Sequence, residues 1–141
     1  MGWERFVTIQ SHYHMLERGI ERELMPYCLF ANIGILPYFP LAGGFLTGKY
    51  ERGEPAPAGS RGEKSPYVQK YLTEANFDKL DKLRLFADSR GHTLHDLAFV
   101  WLLSKETIPS VIAGATSPEQ VSENAKMVGW RLSEEELKEI V

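Results

Sequence analysis

The sequence has almost no cysteine, no excess of basic residues and no long hydrophobic run. A single cysteine, Cys28, in 141 residues excludes an internal disulfide bond and is typical of a reducing compartment, so we expect a cytoplasmic protein. The formal net charge of -3 argues against a surface for nucleic acid or anionic membrane. No apolar run approaches the roughly 20 residues of a membrane span, and the first residues lack a signal-peptide pattern. These absences favour a soluble, intracellular chain.

Length and composition predict one globular domain over residues 1–141. Hydrophobic residues make up 43% and charged residues 25%, which is ordinary for a compact protein with one core. Residues 51–73 are rich in Gly, Pro, Ser and Arg. We therefore expect a long surface loop there, of the kind that acts as a lid or binding segment or else is disordered.

Hydrophobic periodicity predicts strands that alternate with helices. Short apolar runs predict three strands, at 6–10, 35–39 and 108–113. Helical periodicity predicts a helix at 17–30 and another from Phe77 that ends at a Gly91 cap. Residues typical of helix starts predict three more helices, which begin at Thr93, at Ser117-Pro118 and at Ser133. Strands that alternate with helices imply an α/β fold with about three parallel strands. Such a thin sheet has two open edges, so we expect self-association through them.

Polar segments follow each predicted strand, where ligands of parallel α/β proteins bind. Gln10 ends the first strand, the run PYFPLAGGFLTGKY (37–50) covers the second, and a Gly turn with a Ser-Pro-capped helix follows the third. Glycines let the backbone approach a ligand, and the nearby Lys49 indicates an anionic one. The capped helix is either an anion site or simply a well-capped helix. Its polar residues Gln120, Glu123 and Asn124 share one face, which could read a nucleoside or be only solvated.

The histidines and the cysteine do not predict a metal site or a reactive thiol. His12 and His14 point the same way on an extended strand, but no third ligand lies near them in the sequence. His92 and His95 lie where a helix begins and are expected at the surface. Cys28 lies among apolar residues on a helical stripe, so we expect it to be buried and inert.

Several motifs in a fixed order carry a specific resemblance. They are TIQSHYHMLER (8–18), PYFPLAGGFLTGKY, GSR (59–61), VIAGATSPEQVSENA (111–125) and WRLSEEELKEI (130–140). Together they resemble the C-terminal part of an aldo-keto reductase, and the match runs over nearly the whole chain. The sequence is most similar to the bacterial branch that also resembles the beta subunits of voltage-gated potassium channels.

This resemblance implies the C-terminal portion of a (β/α)8 barrel that binds NADPH in an extended pose. Tyr38 would stack on the nicotinamide ring and Gln10 would bind its carboxamide. The backbone of Phe39, Pro40, Leu41 and Ala42 would follow the pyrophosphate, where Gly43 and Gly44 allow close approach and Lys49 and Arg61 supply positive charge. Gly114 and Thr116 would hold the ribose phosphate of the adenosine. Gln120, Glu123 and Asn124 would bind the adenosine itself. The plainer alternative makes Tyr38 a core aromatic and Arg61 a loop charge.

Two positions depart from the family's pattern, and its catalytic residues have no match. The family often has serine where this chain has Phe39 and asparagine where it has His14. The larger Phe39 ring therefore cannot occupy the position of the serine side chain. The catalytic tyrosine, lysine, aspartate and histidine come from the family's first four strands, and we assign no catalytic residue here. We therefore expect the 141 residues alone not to reduce the small carbonyl substrate of a complete enzyme. A nucleotide-sensing regulatory subunit and an oligomerising partial barrel remain the alternatives.

Overall fold

The computed structural model describes residues 4–126 and 129–140. Over these residues the chain forms two strands and seven α-helices, with 3₁₀ turns at Gly19–Glu21 and Ala42–Thr47. In chain order the elements are β1 (Thr8–His12), α1 (Leu24–Ala31), β2 (Gly34–Tyr38), α2 (Arg61–Lys64), α3 (Pro66–Gln69), α4 (Glu74–Asp88), α5 (Leu94–Leu103), α6 (Pro118–Lys126) and α7 (Glu134–Glu139). Within the described residues, no helix has the length and apolarity that a membrane crossing requires.

The two strands pair in parallel, which confirms the predicted α/β arrangement. Their register places His12 opposite Tyr38 and Gln10 opposite Leu36. Side chains alternate along a strand, so Gln10, His12 and Tyr38 lie on the same face of the sheet. Ile35 lies on the other face, where it is buried against the helices. The sheet thus has one face packed on helices and one face that carries the polar residues predicted for the site.

The predicted third strand is reduced to a single parallel bridge between Tyr38 and Ile112. The N–H of Ile35 bonds to the carbonyl of Thr107, and the N–H of Ile112 bonds to the carbonyl of Pro37. Successive residues of a strand direct their backbone hydrogen bonds to opposite sides, so an N–H at position 37 would point the same way as that of Ile35. Proline has none. The ladder therefore lacks a bond at Pro37, and the segment at 108–113 runs beside β2 without forming a regular strand.

The first helix is shorter than the predicted 17–30, because α1 begins only at Leu24. Pro26 is the cause, since a proline fits the first turn of a helix but removes a hydrogen bond from its interior. The helix ends at Ala31, and Asn32 after it is in the left-handed conformation (φ 54°). The strand β1 also lies two residues later than the predicted 6–10.

The segment 51–73, expected to be a loop, contains two helical turns, α2 and α3. It is fastened at its start by Arg52, whose guanidinium pairs with three carboxylates of α4: Glu74, Asp78 and Asp81. Val68 and Tyr71 are buried at its other end. The segment is therefore packed onto the body of the molecule.

Two hydrophobic clusters form the core, and α5 contributes to both. The first contains residues of the 3₁₀ turn at Ala42–Thr47, of α3 and of α4, together with Leu94, Leu97 and Ala98 of α5. The second lies under the sheet and contains Tyr13, Cys28, Ile35, Ile108 and, from α5, Trp101 and Leu102. The helix predicted to begin at Thr93 is α5, and it starts with a capping box in which Thr93 and Asp96 bond reciprocally. Cys28 is buried, as predicted.

Several exposed apolar residues lie beside β1 and on α1. Phe6 is 88% and Phe30 is 89% exposed, and Val7, Tyr27 and Leu29 are exposed near them in the sequence. Val100 and Trp101 of α5 are buried, because α5 packs between the two clusters.

Candidate functional site

The three segments predicted to form the site meet at the carboxyl ends of the strands. His12 and Tyr38, the last residues of β1 and β2, are paired in register. The bridge from Tyr38 to Ile112 aligns the third segment with them. Gly114 lies two residues beyond that bridge, so it emerges at the same edge of the sheet as Tyr38. This edge is where parallel α/β proteins bind their ligands.

The turn after β2 has a backbone conformation that favours glycine. Phe39, Ala42, Gly43 and Gly44 all have positive φ, at 64°, 49°, 69° and 95°. A Cβ atom at Gly43 would lie 2.4 Å from a methyl group of Val68. At Gly44 a Cβ would lie 2.7 Å from Lys49 Nζ. The glycines therefore let α3 and the Lys49 ammonium group approach the turn closely, which places a positive charge beside its backbone.

Tyr50 joins this turn to the segment that carries Arg61. Its hydroxyl donates to the carbonyl of Gly43 at 3.2 Å and accepts from the N–H of Gly62 at 2.9 Å. A Cβ at Gly62 would lie 2.5 Å from the Tyr50 ring. Tyr50 is buried, so the start of α2, with Arg61 as its exposed first residue, is fixed beside the glycine turn.

Tyr38 offers an aromatic surface at the edge of the sheet. Its side chain is 42% exposed, which does not fit the alternative of a core aromatic. The ring of His12 is stacked on it, with the centroids 5.4 Å apart and the planes 10° from parallel. One face of Tyr38 is thus covered by protein.

His12 and His14 belong to a hydrogen-bonded cluster that also contains Tyr67 and Tyr71. Nε2 of His14 lies 3.2 Å from Nε2 of His12 and 3.2 Å from the Tyr71 hydroxyl, and Nδ1 of His12 lies 3.1 Å from the Tyr67 hydroxyl. Burial lowers the pKa of His14 to about 3. Burial also lowers the pKa of His12, an effect that Lys70 increases and Glu17 opposes. Both imidazoles are therefore neutral near pH 7.

The bulky side chain of Phe39 is accommodated by this cluster. Its ring packs edge-on against His12 and Tyr67, with centroid distances of 5.7 and 5.5 Å. The structure describes no group of three or more His, Cys, Asp or Glu residues able to hold a metal within 4–126 and 129–140.

The third segment is more exposed and is held by side-chain amides. The carboxamide oxygen of Gln120 accepts from the N–H and the hydroxyl of Thr116, at 2.8 and 3.2 Å. The oxygen of Asn124 lies 3.0 Å from Nε2 of His95. In both amides the oxygen is engaged, which leaves the NH₂ group to donate. Gly114, Thr116 and Glu123 are exposed.

Several residues of this site were missed by sequence reasoning. Tyr71 lies inside the segment expected to be a loop, Tyr50 lies directly before it, and His95, expected at the surface, is half-buried against Asn124. One local signal was available. The spacing of Tyr67, Val68 and Tyr71 fits one face of a helical turn.

Comparison with known proteins gives consistent matches over most of the chain. The chain is 35% identical over 136 residues to an L-glyceraldehyde 3-phosphate reductase of Escherichia coli O157:H7, with 93% of this chain and 39% of that protein covered. It is 33% identical to an NADH-specific methylglyoxal reductase of Escherichia coli K12, with 89% and 38% covered. It is 37% identical to a probable voltage-gated potassium channel subunit beta of Arabidopsis thaliana, with 86% and 38% covered.

A solved structure agrees with the sequence matches. A glycerol dehydrogenase from Gluconobacter oxydans superposes with a TM-score of 0.77 at 31% identity, over 94% of this chain and 40% of that one. The chain therefore spans about two fifths of the length of the relatives that it matches, and its fold is part of the (β/α)8 barrel predicted from the sequence. The aldo/keto reductase family model, whose members use nicotinamide cofactors, matches residues 1–141. The chain belongs to the aldo/keto reductase family.

Proposed function

We propose that this chain carries most of the NADP(H)-binding site of an oxidoreductase that reduces aldehydes or ketones by hydride transfer. The observation that supports this most directly is the meeting of three segments at one strand edge: the His12–Tyr38 pair and the Tyr38–Ile112 bridge bring Gln10, the glycine turn and the 114–124 segment together. An extended dinucleotide needs such a row of contacts, with an aromatic surface at one end, positive charge in the middle and hydrogen-bond donors at the other.

At the nicotinamide end, the free face of Tyr38 stacks on the ring. Its other face is covered by His12, so the cofactor can use only one side of the tyrosine. Gln10 lies on the same face of the sheet, where its amide reaches the carboxamide of the nicotinamide.

At the pyrophosphate, the turn formed by Phe39, Pro40, Leu41 and Ala42 follows the phosphates. The positive φ at Gly43 and Gly44 allows close approach. Lys49 lies over Gly44 and Arg61 is fixed nearby through Tyr50, so two cations neutralise the phosphate charge.

At the adenosine end, Gly114 and Thr116 bind the ribose phosphate, and Gln120, Glu123 and Asn124 bind the nucleoside. The NH₂ groups of Gln120 and Asn124 donate, as a 2′-phosphate requires. One relative is named NADH-specific, so the preference for NADPH has to be measured.

Calorimetry with both nucleotides tests this proposal. A charge-assisted contact is worth about 1.5–3 kcal/mol, so the chain should bind NADPH at least roughly tenfold more tightly than NADH. The double variant Arg61→Ala, Gln120→Ala should lose this preference, whereas Lys79→Ala, which removes a positive charge from the exposed side of α4, should keep it. A preference that survives the double variant would refute the phosphate contacts, and a parent chain that binds neither nucleotide would refute the site itself.

Catalysis needs groups that have no counterpart in this chain. A developing alkoxide needs a proton donor, and no residue here matches the family's catalytic set. We therefore propose that the 141 residues alone do not reduce an activated aromatic aldehyde with NADPH. Sustained turnover by the purified chain would contradict this.

A regulatory role is the second candidate, because one relative is named a probable potassium channel subunit beta. In this alternative the chain belongs to a protein that binds the nucleotide and changes conformation without turnover. Turnover by the whole protein distinguishes the two, since only the reductase would oxidise NADPH with an aldehyde.

We also propose that the chain associates with itself through the open edge of its sheet. Phe6 and Val7 are exposed beside β1 and Phe30 is exposed on α1, and exposed apolar surface of this kind favours association. Sedimentation should detect dimers or larger species, and Phe30→Asp should shift them towards monomer. A parent chain that remains monomeric at high concentration would exclude this.

A further inference from the structure

The cluster of His12, His14, Tyr67 and Tyr71 is not explained by cofactor contacts alone. It lies at the ends of the two strands and joins the segment 51–73 to the aromatic face of Tyr38. Tyr67 is 48% exposed, while Tyr71 is 5% and His14 is 0% exposed, so the cluster runs from the core to the surface.

The hydrogen bonds determine which nitrogen of each imidazole carries the proton. The N–H of Leu16 donates to Nδ1 of His14 at 3.2 Å, so the neutral His14 ring carries its proton on Nε2. Nε2 of His12 lies 3.2 Å from that group. Two protonated nitrogens cannot face each other at this distance, so Nε2 of His12 accepts and its proton lies on Nδ1. Nδ1 of His12 then donates to the Tyr67 hydroxyl at 3.1 Å.

This order of donors fixes the plane of the His12 ring from both sides. His14 holds Nε2 from the core, and Tyr67 holds Nδ1 from α3. The plane of His12 in turn determines that of Tyr38, because the two rings are stacked within 10° of parallel.

From these contacts we propose that Tyr67 and His12 are positioning residues that hold Tyr38 in the orientation required for stacking on the nicotinamide. This rests on the proposed function, because it assigns the free face of Tyr38 to the cofactor. It links the segment 51–73 to the nicotinamide end through Tyr67. Arg61 of the same segment is held separately, through the contacts of Tyr50 with Gly43 and Gly62.

This separation makes the proposal testable with two ligands. NADPH contains the nicotinamide, whereas 2′,5′-ADP contains only the adenosine end with its phosphates. Tyr67→Phe removes one hydroxyl and should weaken NADPH binding about fivefold, as the loss of one hydrogen bond does. It should change 2′,5′-ADP binding less than about twofold, because Tyr50 still holds the Arg61 segment.

A second variant and a matched control strengthen the test. His12→Phe keeps an aromatic ring beside Tyr38 but removes both ring nitrogens, and it should show the same selective loss of NADPH binding. Tyr27→Phe removes the hydroxyl of a comparably exposed tyrosine, 58% exposed, and should leave both affinities unchanged. Equal losses for both ligands would indicate a general structural role and overturn the proposal, as would unchanged NADPH binding in Tyr67→Phe.

The imidazole protons can be observed without any ligand. Long-range ¹H–¹⁵N spectra of the labelled chain near pH 7 should show His12 protonated on Nδ1 and His14 on Nε2. A His12 proton on Nε2 would overturn the proposed linkage, even if NADPH binds. The predicted proton positions together with no binding of NADPH would instead refute the proposed function and, with it, the role given to Tyr38.

Discussion

The two ends of the candidate site are built in different ways. At the strand edge and the turn after β2, proposed for the nicotinamide and the pyrophosphate, Gly43, Tyr50, Val68 and Tyr71 are buried, and the turn is part of the larger hydrophobic cluster. At the end proposed for the adenosine, α6 has no buried residue, and a few amide hydrogen bonds hold its side chains. The first end is therefore organised by the core before a ligand arrives, whereas the second depends on local contacts. Substitutions at the first end should cost stability, and those at the second should cost mainly affinity.

The largest effect is expected from Gly43→Ala. The left-handed conformation at φ 69° and the contact of 2.4 Å with Val68 should together lower the free energy of unfolding by about 3 kcal/mol. Gly53→Ala is the matched control, because Gly53 has φ 76° but nothing within 4 Å of its Cβ position. It should lose only about 1 kcal/mol. Urea denaturation measures both, and equal losses would show that the turn is not tightly packed.

His14 should make the stability of the chain depend on pH. The imidazole has a pKa of about 3 in the folded chain because it is buried, against about 6.5 when unfolded. Below pH 6.5 the unfolded chain binds a proton that the folded chain does not, so stability is complete above pH 6.5 and falls as the pH decreases towards 3. The slope should be at most about 1.4 kcal/mol per pH unit.

His14→Asn should remove most of that slope. Asparagine can still accept from the N–H of Leu16 but does not titrate. His92→Asn is the control. The His92 ring stacks on Trp130, with the ring centroids 3.9 Å apart, so this substitution leaves the His14 cluster intact and should keep the slope. Urea midpoints at several pH values between 4 and 7 provide the measurement, and an unchanged slope in His14→Asn would contradict the assignment of the proton linkage to this residue.

The smallest effect on stability is expected at the adenosine end. His95→Ala removes the partner of Asn124 but adds no strain, so it should lower stability by about 1 kcal/mol or less. It should weaken NADPH binding several-fold, because Asn124 is no longer oriented towards the nucleotide. If stability falls as far as in Gly43→Ala, the two ends are not built differently.

The sequence predicted those features that depend on neighbouring residues. Glycines 43 and 44 indicated a special turn, and the capping box predicted at Ser133 is present. The prediction of a full third strand at 108–113 was wrong, because the segment forms only one bridge to β2. Its length depends on whether the backbone at position 37 faces that segment, and this is decided only when β1 pairs with the other side of β2. The cluster joining His14 to Tyr71 spans 57 positions of sequence separation, so no local pattern could reveal it.

The position of α5 between the two hydrophobic clusters has a consequence for how the molecule opens. Because Leu97 lies in one cluster and Trp101 in the other, neither cluster can lose its packing without disturbing the same helix. The two should therefore unfold as one cooperative unit, with the amide protons of α5 among the last to exchange with solvent. The amides of α6, which has no buried residue, should exchange through local opening, so nucleotide bound at the adenosine end should slow exchange in α6 far more than in α5.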